Sequence, residues 1–207
     1  SAPATERMSR VDTAWLRMDT EANLMMIVGV WLMSPSLGID ELRSRVQERL
    51  LAYDRFRQRV VEDAMGASWV DDEAFDITRQ VLPEVLAPAP GETALHALKS
   101  RVAELAATPL DPAHPLWQMH LVEHLDDGPD GQPRSAFVVR VHHCIGDGIA
   151  LISVMLSITD GGAPPPQRQR RGEHGSGHDS ETEHDWLVDA LIRPFTDLTI
   201  KAIGLTG

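Results

Sequence analysis

Residues 138–148 read VVRVHHCIGDG and carry the clearest structural signal in the chain. The β-branched and apolar residues at the start are typical of a buried strand, and the two glycines predict a tight turn where it ends. The apolar residues that follow predict a helix after the turn. His142, His143 and Asp147 therefore lie at the end of a strand, where a rigid scaffold holds side chains that still reach a cleft.

The composition is that of a soluble globular protein. The chain has 207 residues, of which 43% are hydrophobic and 24% are charged. A formal net charge of −12 argues against a nucleic-acid-binding protein, whose affinity comes from basic side chains that neutralise phosphates. The single Cys144 excludes an intramolecular disulfide and a multi-cysteine zinc site, which fits the cytoplasm. No apolar run approaches the ~20 residues of a membrane-spanning helix, and no signal peptide is apparent, so any membrane contact is expected to be peripheral.

The chain before the motif predicts alternating helices and strands. Continuous apolar runs bounded by turn residues indicate strands covered on both faces, and apolar residues at three- and four-residue spacing indicate amphipathic helices. In chain order these are a capped helix at 8–16, a strand at 25–33, a helix at 39–50, a hairpin at 57–62 and 67–72, a connection at 82–90 and a helix at 92–107.

The strand at 116–125 is expected to pair with the motif strand as a hairpin, because a dense turn signal at 126–133 separates the two. Its alternation predicts one apolar face and one polar face in contact with water. The apolar face contains Trp117, Met119, Leu121 and Leu125, and the polar face contains Gln118, His120 and His124.

His143 is the candidate catalytic residue. A hydroxyl or an amine attacks a thioester only when a base removes its proton, and neutral histidine suits that role near neutral pH. Asp147 could orient the imidazole directly or hold the turn by pairing with an arginine, and the spacing leaves both open. Gly148 allows a close ligand approach where the next helix begins.

Other reactive side chains are interpreted as non-catalytic. Cys144 is expected to pack in the core, because neighbouring residues of a strand point to opposite faces and a cysteine–histidine pair is then disfavoured. The histidines of the polar segment at 161–185 are assigned to a solvated linker, and no metal site is predicted there.

The pattern His-His-x-x-x-Asp-Gly at 142–148 resembles the signature of acyltransferases with the chloramphenicol acetyltransferase fold, a group that includes peptide-synthetase condensation domains. Within that group the chain looks most like the bacterial wax ester synthase/diacylglycerol acyltransferase family. Two further segments carry the resemblance, Pro-Leu-Trp at 115–117 and the opening MSRVDTAWL at 8–16. The resemblance covers nearly all of residues 8–160.

The resemblance implies a role for each motif residue. His143 would be the general base for direct attack on acyl-CoA, with no acyl-enzyme, no metal and no cofactor. Asp147 would be architectural, and His142 would support the site together with Gly148. Pro115, Leu116 and Trp117 would shape the structure near it.

The resemblance also implies an α/β sandwich in which a mixed sheet is covered by helices. The active site would lie between two similar halves, and members of the family are about twice as long as this chain. The expected organisation is therefore an amino-terminal acyltransferase domain at 1–160, a flexible polar linker at 161–185, and the start of a crossover helix at 186–207 that leads toward a second half.

The predicted function is transfer of a long acyl chain from CoA to a fatty alcohol or to diacylglycerol, which makes wax ester or triacylglycerol. The expected partners are acyl-CoA, the acceptor lipid, the carboxy-terminal half of the same protein, and a membrane or lipid-droplet surface contacted peripherally. Two alternatives remain open at this point. One is a condensation-type domain that acts on carrier-protein thioesters, and the other is a catalytically silent acyl-CoA-binding module.

Overall fold

Strands and helices are mixed along residues 5–146, which are the residues that the computed structural model describes. The strands are β1 (Thr5–Arg7), β2 (Met26–Met33), β3 (Gln58–Asp63), β4 (Gly66–Asp71), β5 (Val81–Pro83), β6 (Trp117–Asp127) and β7 (Pro133–His142). The α-helices are α1 (Arg10–Met18), α2 (Ile39–Arg45), α3 (Ile77–Gln80) and α4 (Ala94–Ala106). A π-helical turn at Val46–Leu50 continues α2, and a 3₁₀ turn spans Asp54–Phe56.

The described strands form two sheets. The larger has the order β2-β7-β6-β5, with β2, β7 and β6 antiparallel and β5 parallel to β6. The smaller has the order β1-β4-β3 and is antiparallel throughout. The motif strand β7 is thus an inner strand, paired along its length with β2 and β6.

Helix α4 covers one face of the larger sheet. Thr93 caps its amino terminus by accepting the His96 N–H at 3.2 Å. The apolar side of the helix packs on the sheet in one buried cluster, as its three- and four-residue spacing predicts. The cluster contains Leu98, Val102, Leu105, Val122, Leu125, Ala136 and Val138. Burying one leucine or valine side chain contributes about 1.5–3 kcal/mol to the stability of the fold.

The opposite face of the larger sheet is rich in aromatic residues. Trp31 on β2 stacks on Phe137 of β7, with ring centroids 5.2 Å apart. Trp117 on β6 meets Phe56 edge to face at 5.9 Å. A Cβ at Gly29 would overlap the Trp31 ring, so a larger residue there would displace the indole. Both faces of β7 are therefore buried, which explains the apolar run at 136–139 in its centre.

Most of the predicted elements are confirmed. The strand at 25–33, the helix at 39–50, both hairpins and the helix at 92–107 are present, with boundaries that differ by a few residues. The prediction that the strand at 25–33 is covered on both faces was too strong, because every residue of β2 is only half-buried. Within the described residues β2 lies at an edge of its sheet.

Three other expectations were wrong in part. The predicted connection at 82–90 begins inside β5, whose pairing with β6 is not encoded locally. The polar face of β6 was expected to contact water, but His120 on that face is only 5% exposed, whereas His124 is exposed as predicted. Leu125 does not share the face of Trp117, because an irregularity in register between Val122 and Asp126 turns it toward α4.

Candidate functional site

His143 lies in the turn that directly follows β7. Its backbone N–H donates to the carbonyl of Met25 at 2.9 Å, which ties the turn to the start of β2. The side chain is half-buried, so it is held by its surroundings and still reaches solvent. This placement agrees with the sequence expectation that the motif histidine sits at the end of a strand.

The imidazole of His143 stacks on the indole of Trp15. The ring centroids are 4.6 Å apart and the planes differ by 19°. Trp15 comes from α1, whose amino terminus is capped by Ser9, with the hydroxyl accepting the Asp12 N–H at 3.1 Å. The stack fixes the plane of the imidazole and covers part of one ring face.

His142 is buried, with 3% of its surface exposed. Its Nδ1 accepts the backbone N–H of Cys144 at 3.0 Å, so in the neutral ring Nε2 carries the proton. Burial lowers the pKa of His142 below its ordinary value, and the negative charge of Asp19 only partly opposes this shift. The ring is therefore neutral near pH 7 and serves as a fixed support for the turn.

Asp19 is a neighbour of His142 that the sequence interpretation did not identify. Its Oδ1 accepts the Met25 N–H at 2.6 Å. Its Oδ2 lies 3.7 Å from His142 Nε2, and that nitrogen has no hydrogen-bond partner within residues 5–146. In the sequence Asp19 appears only as a polar residue that ends a short helix, so local pattern gives no sign of the contact.

The Pro-Leu-Trp segment lies beside the histidine motif. The carbonyl of Leu116 accepts the His142 N–H at 3.0 Å. Trp117 pairs with Val141 across the sheet, and its indole N–H donates to the carbonyl of Phe56 at 2.9 Å. All three residues of the segment are buried. The segment therefore contacts the motif through one backbone hydrogen bond and through side-chain packing. It lies at the start of β6, the strand that pairs with β7.

Cys144 occupies the core. Its side chain is 1% exposed, and burial raises the pKa of the thiol to about 12. A protonated, enclosed thiol is a poor nucleophile, which fits the packing role expected from the sequence.

Two of the predicted site residues, Asp147 and Gly148, lie outside the described residues. The same holds for the predicted linker at 161–185 and the predicted helix at 186–207. Their assigned roles stay predictions.

A separate cleft of about 370 Å³ opens next to the Pro-Leu-Trp segment. Its lining includes Arg79, Leu82, Leu110, His114, Pro115 and Gln118. His114 bridges this region, with Nδ1 3.1 Å from Asp72 and Nε2 3.1 Å from Arg79. Neither motif histidine lines the cleft. It is therefore distinct from the surroundings of His143.

Within residues 5–146, no group of three or more histidine, cysteine or carboxylate side chains is arranged to hold a metal ion. None of the helices in the same range has the length and apolar character needed to cross a membrane.

The chain matches known proteins along most of its length. Residues 8–201 match the model of the wax ester synthase/diacylglycerol acyltransferase catalytic domain. A probable diacylglycerol O-acyltransferase of Mycobacterium tuberculosis is 34% identical over 168 residues, which cover 77% of this chain and 58% of that protein. A putative diacylglycerol O-acyltransferase of Mycobacterium bovis is 29% identical over 74% of this chain and 33% of its own length.

Solved structures share the fold. The wax ester synthase/diacylglycerol acyltransferase of Marinobacter aquaeolei superposes with a TM-score of 0.57 at 25% identity, over 72% of this chain and 37% of that one. The starter condensation domain of rhizomide synthetase superposes with a TM-score of 0.59 at 15% identity, over 79% of this chain and 40% of that one. The predicted fold class is thereby confirmed. The chain spans little more than half of the first of these relatives and between 33% and 40% of the others.

Proposed function

The chain belongs to the wax ester synthase/diacylglycerol acyltransferase family, and from this premise we propose that it forms part of an acyl-CoA-dependent O-acyltransferase. The acceptor is a fatty alcohol or diacylglycerol, and the product is wax ester or triacylglycerol. Two kinds of similarity support the proposal. Relatives carry the name diacylglycerol O-acyltransferase, and a condensation domain with the same fold has been solved with an acyl-CoA bound.

His143 acts as the general base in this proposal. The observation that carries this role is its position directly after β7, half-buried, with its ring plane set by Trp15 and its backbone tied to Met25. A base must reach the substrate in a fixed orientation, and these contacts supply the orientation. His142 is the weaker candidate because it is buried and its Nδ1 is occupied by the Cys144 N–H.

The reaction is a direct displacement. The acceptor hydroxyl gives its proton to His143 as its oxygen attacks the thioester carbonyl. The C–O bond forms, the C–S bond breaks, and the imidazolium returns the proton to the departing CoA sulfur. No group on the enzyme is acylated, and the reaction requires neither a metal nor a cofactor. The roles of Asp147 as an architectural residue and of Gly148 as a supporting residue are carried over from the family resemblance, as is a carboxy-terminal half that supplies the other wall of the site.

The test is acyl transfer by the full-length protein with His143→Ala, assayed with a long-chain acyl-CoA and either a fatty alcohol or diacylglycerol. Loss of a general base should lower kcat by about 10²–10⁴-fold. His124→Ala is the matched control, since His124 lies on β6 with an exposed side chain and should retain the wild-type rate. Wild-type turnover by His143→Ala would contradict the role of His143.

Two additions to this assay, a carrier-protein thioester as acyl donor and a measurement of acyl-CoA binding, separate the two alternative functions. Turnover with carrier-protein thioesters but not with acyl-CoA would indicate a condensation-type enzyme. Saturable acyl-CoA binding by wild type, with no product from either acceptor, would indicate a silent binding module.

A further inference from the structure

Helix α1 brings two side chains to the turn that holds His143. Trp15 stacks on the His143 ring, and Asp19 is the residue at which the helix ends. The Asp19 carboxylate faces two groups at once, the Met25 N–H at 2.6 Å and His142 Nε2 at 3.7 Å. One carboxylate therefore lies between the end of α1, the start of β2 and the end of β7.

Two series of contacts lead from the Asp19 carboxylate to the backbone around His143. The first passes through Met25, whose N–H is bound by Asp19 and whose carbonyl accepts the His143 N–H at 2.9 Å. The second passes through the His142 ring, whose Nδ1 accepts the Cys144 N–H at 3.0 Å. The amide of His143 is thus linked to Asp19 through Met25, and the amide of Cys144 is bound by a ring whose other nitrogen faces the same carboxylate.

The second series of contacts contains an unused donor. His142 Nδ1 is an acceptor, so the neutral ring carries its proton on Nε2, and this buried nitrogen has no hydrogen-bond partner in the part of the chain that the structure describes. A distance of 3.7 Å to Asp19 is too long for a hydrogen bond. A movement of less than about 1 Å would close it, and hydrogen bonds of catalytic sites are often long before substrate binds.

We propose that Asp19 is a positioning residue for the His143 turn, which it holds through Met25 and through the Nε2–H of His142. This inference rests on the proposed acyl transfer by His143. Asp19 acts through other groups and does not touch the substrate. Its loss should therefore lower kcat and leave the KM for acyl-CoA unchanged.

The kinetic test compares Asp19→Asn with Glu21→Gln in the full-length protein. Asn keeps an oxygen for the Met25 N–H and removes the charge that faces His142. The control removes the same charge from an exposed residue of the same segment. We expect Asp19→Asn to lower kcat about ten- to a hundredfold, since a small misplacement of a catalytic group has effects of this size. Glu21→Gln should keep the wild-type kcat, and KM should change by less than about twofold in both variants. An unchanged kcat in Asp19→Asn, or a kcat loss shared by Glu21→Gln, would overturn the proposal.

A second measurement needs no activity. Asp19→Ala should accelerate hydrogen exchange at the Met25, His143 and Cys144 amides, while exchange at β6 amides stays at the wild-type rate. Uniform acceleration over the whole sheet would mean a general loss of stability and would overturn a specific positioning role. Failure of the proposed function is recognised separately, because wild type would then make no acylated product, or His143→Ala would retain acyl transfer, whatever the exchange rates of the Asp19 variants.

Discussion

Two buried histidines, His120 and His142, lie on neighbouring strands and are held in opposite ways. His120 Nδ1 lies 2.7 Å from a carboxylate oxygen of Glu84, so this nitrogen carries the proton. His142 Nδ1 accepts a backbone N–H from Cys144, so its proton is on Nε2. Burial lowers the pKa of both rings. The two side chains therefore share residue type, burial and direction of pKa shift, and differ in tautomer.

The surroundings of the two rings explain the difference. Glu84 also forms a paired contact with Arg101, at 3.1 and 2.9 Å, which places His120 in an ion-pair network between β6 and α4. His142 is bound by the turn that carries His143, and within residues 5–146 the carboxylate of Asp19 lies 3.7 Å from its Nε2. The first histidine joins structural elements, and the second organises a turn. Burial alone does not separate these roles, whereas the hydrogen-bond partner does.

The largest effect is expected from Glu84→Ala. Burial raises the pKa of Glu84, but the hydrogen bonds from Arg101 and His120 outweigh burial and hold this pKa below its ordinary value. Removing the carboxylate leaves the buried His120 N–H without an acceptor, and we expect the free energy of unfolding to fall by about 2–3 kcal/mol. Glu104→Ala is the matched control. Glu104 pairs with the same Arg101 but is 66% exposed, so its loss should cost about 0.5 kcal/mol or less.

Urea unfolding followed by tryptophan fluorescence measures both variants. Equal losses of stability in Glu84→Ala and Glu104→Ala would mean that the network around His120 contributes no more than a surface ion pair.

A smaller effect is expected from pH. In the unfolded chain histidine binds a proton near its ordinary pKa of 6.5, whereas the lowered pKa of His142 keeps the folded ring neutral below that pH. Unfolding therefore takes up protons, and stability falls as the pH drops below about 6.5, by at most about 1.4 kcal/mol per pH unit for each histidine. His142→Asn should make this slope shallower, because Asn can still accept the Cys144 N–H but does not titrate.

Unfolding free energies at pH 7, 6 and 5 test this expectation. Glu84 does not affect this range of pH. Its pKa is lowered, so the stability that it contributes is lost only when the pH falls below its ordinary pKa of about 4.5. His124→Asn, at an exposed position of β6, is the control for replacing a histidine of this sheet by asparagine. A slope in His142→Asn equal to that of wild type would show that His142 does not contribute.

The sequence predicted much of the frame that supports these histidines. Periodicity and turn residues are local signals, and they located β2, β6, β7 and α4. The Pro-Leu-Trp segment was expected near the motif and is adjacent to it, through the Leu116 carbonyl and the His142 N–H.

The missed features depend on contacts between distant parts of the chain. The three-residue strand β5 exists because β6 offers it a parallel partner, and so short an apolar run gives no pattern of its own. His120 was expected on a face in contact with water because its side chain is polar, and its burial against Glu84 depends on a residue 36 positions away. The approach of Asp19 to His142 depends on how α1 ends beside β7, which no local spacing encodes.

The last prediction needs no mutation, because the tautomers of His120 and His142 can be measured directly in the wild-type protein. Long-range ¹H–¹⁵N correlation spectra at about pH 8 should show His120 protonated on Nδ1 and His142 protonated on Nε2. In Glu84→Gln the Nδ1–H of His120 loses its carboxylate acceptor, so the tautomer of His120 is free to change, whereas the tautomer of His142 should stay as in wild type. Nδ1 protonation of His142 in wild type would contradict the Cys144 N–H bond. The connection between this ring and the backbone after His143 would then be absent, and His142 would be a packed side chain of the same kind as any other in the core.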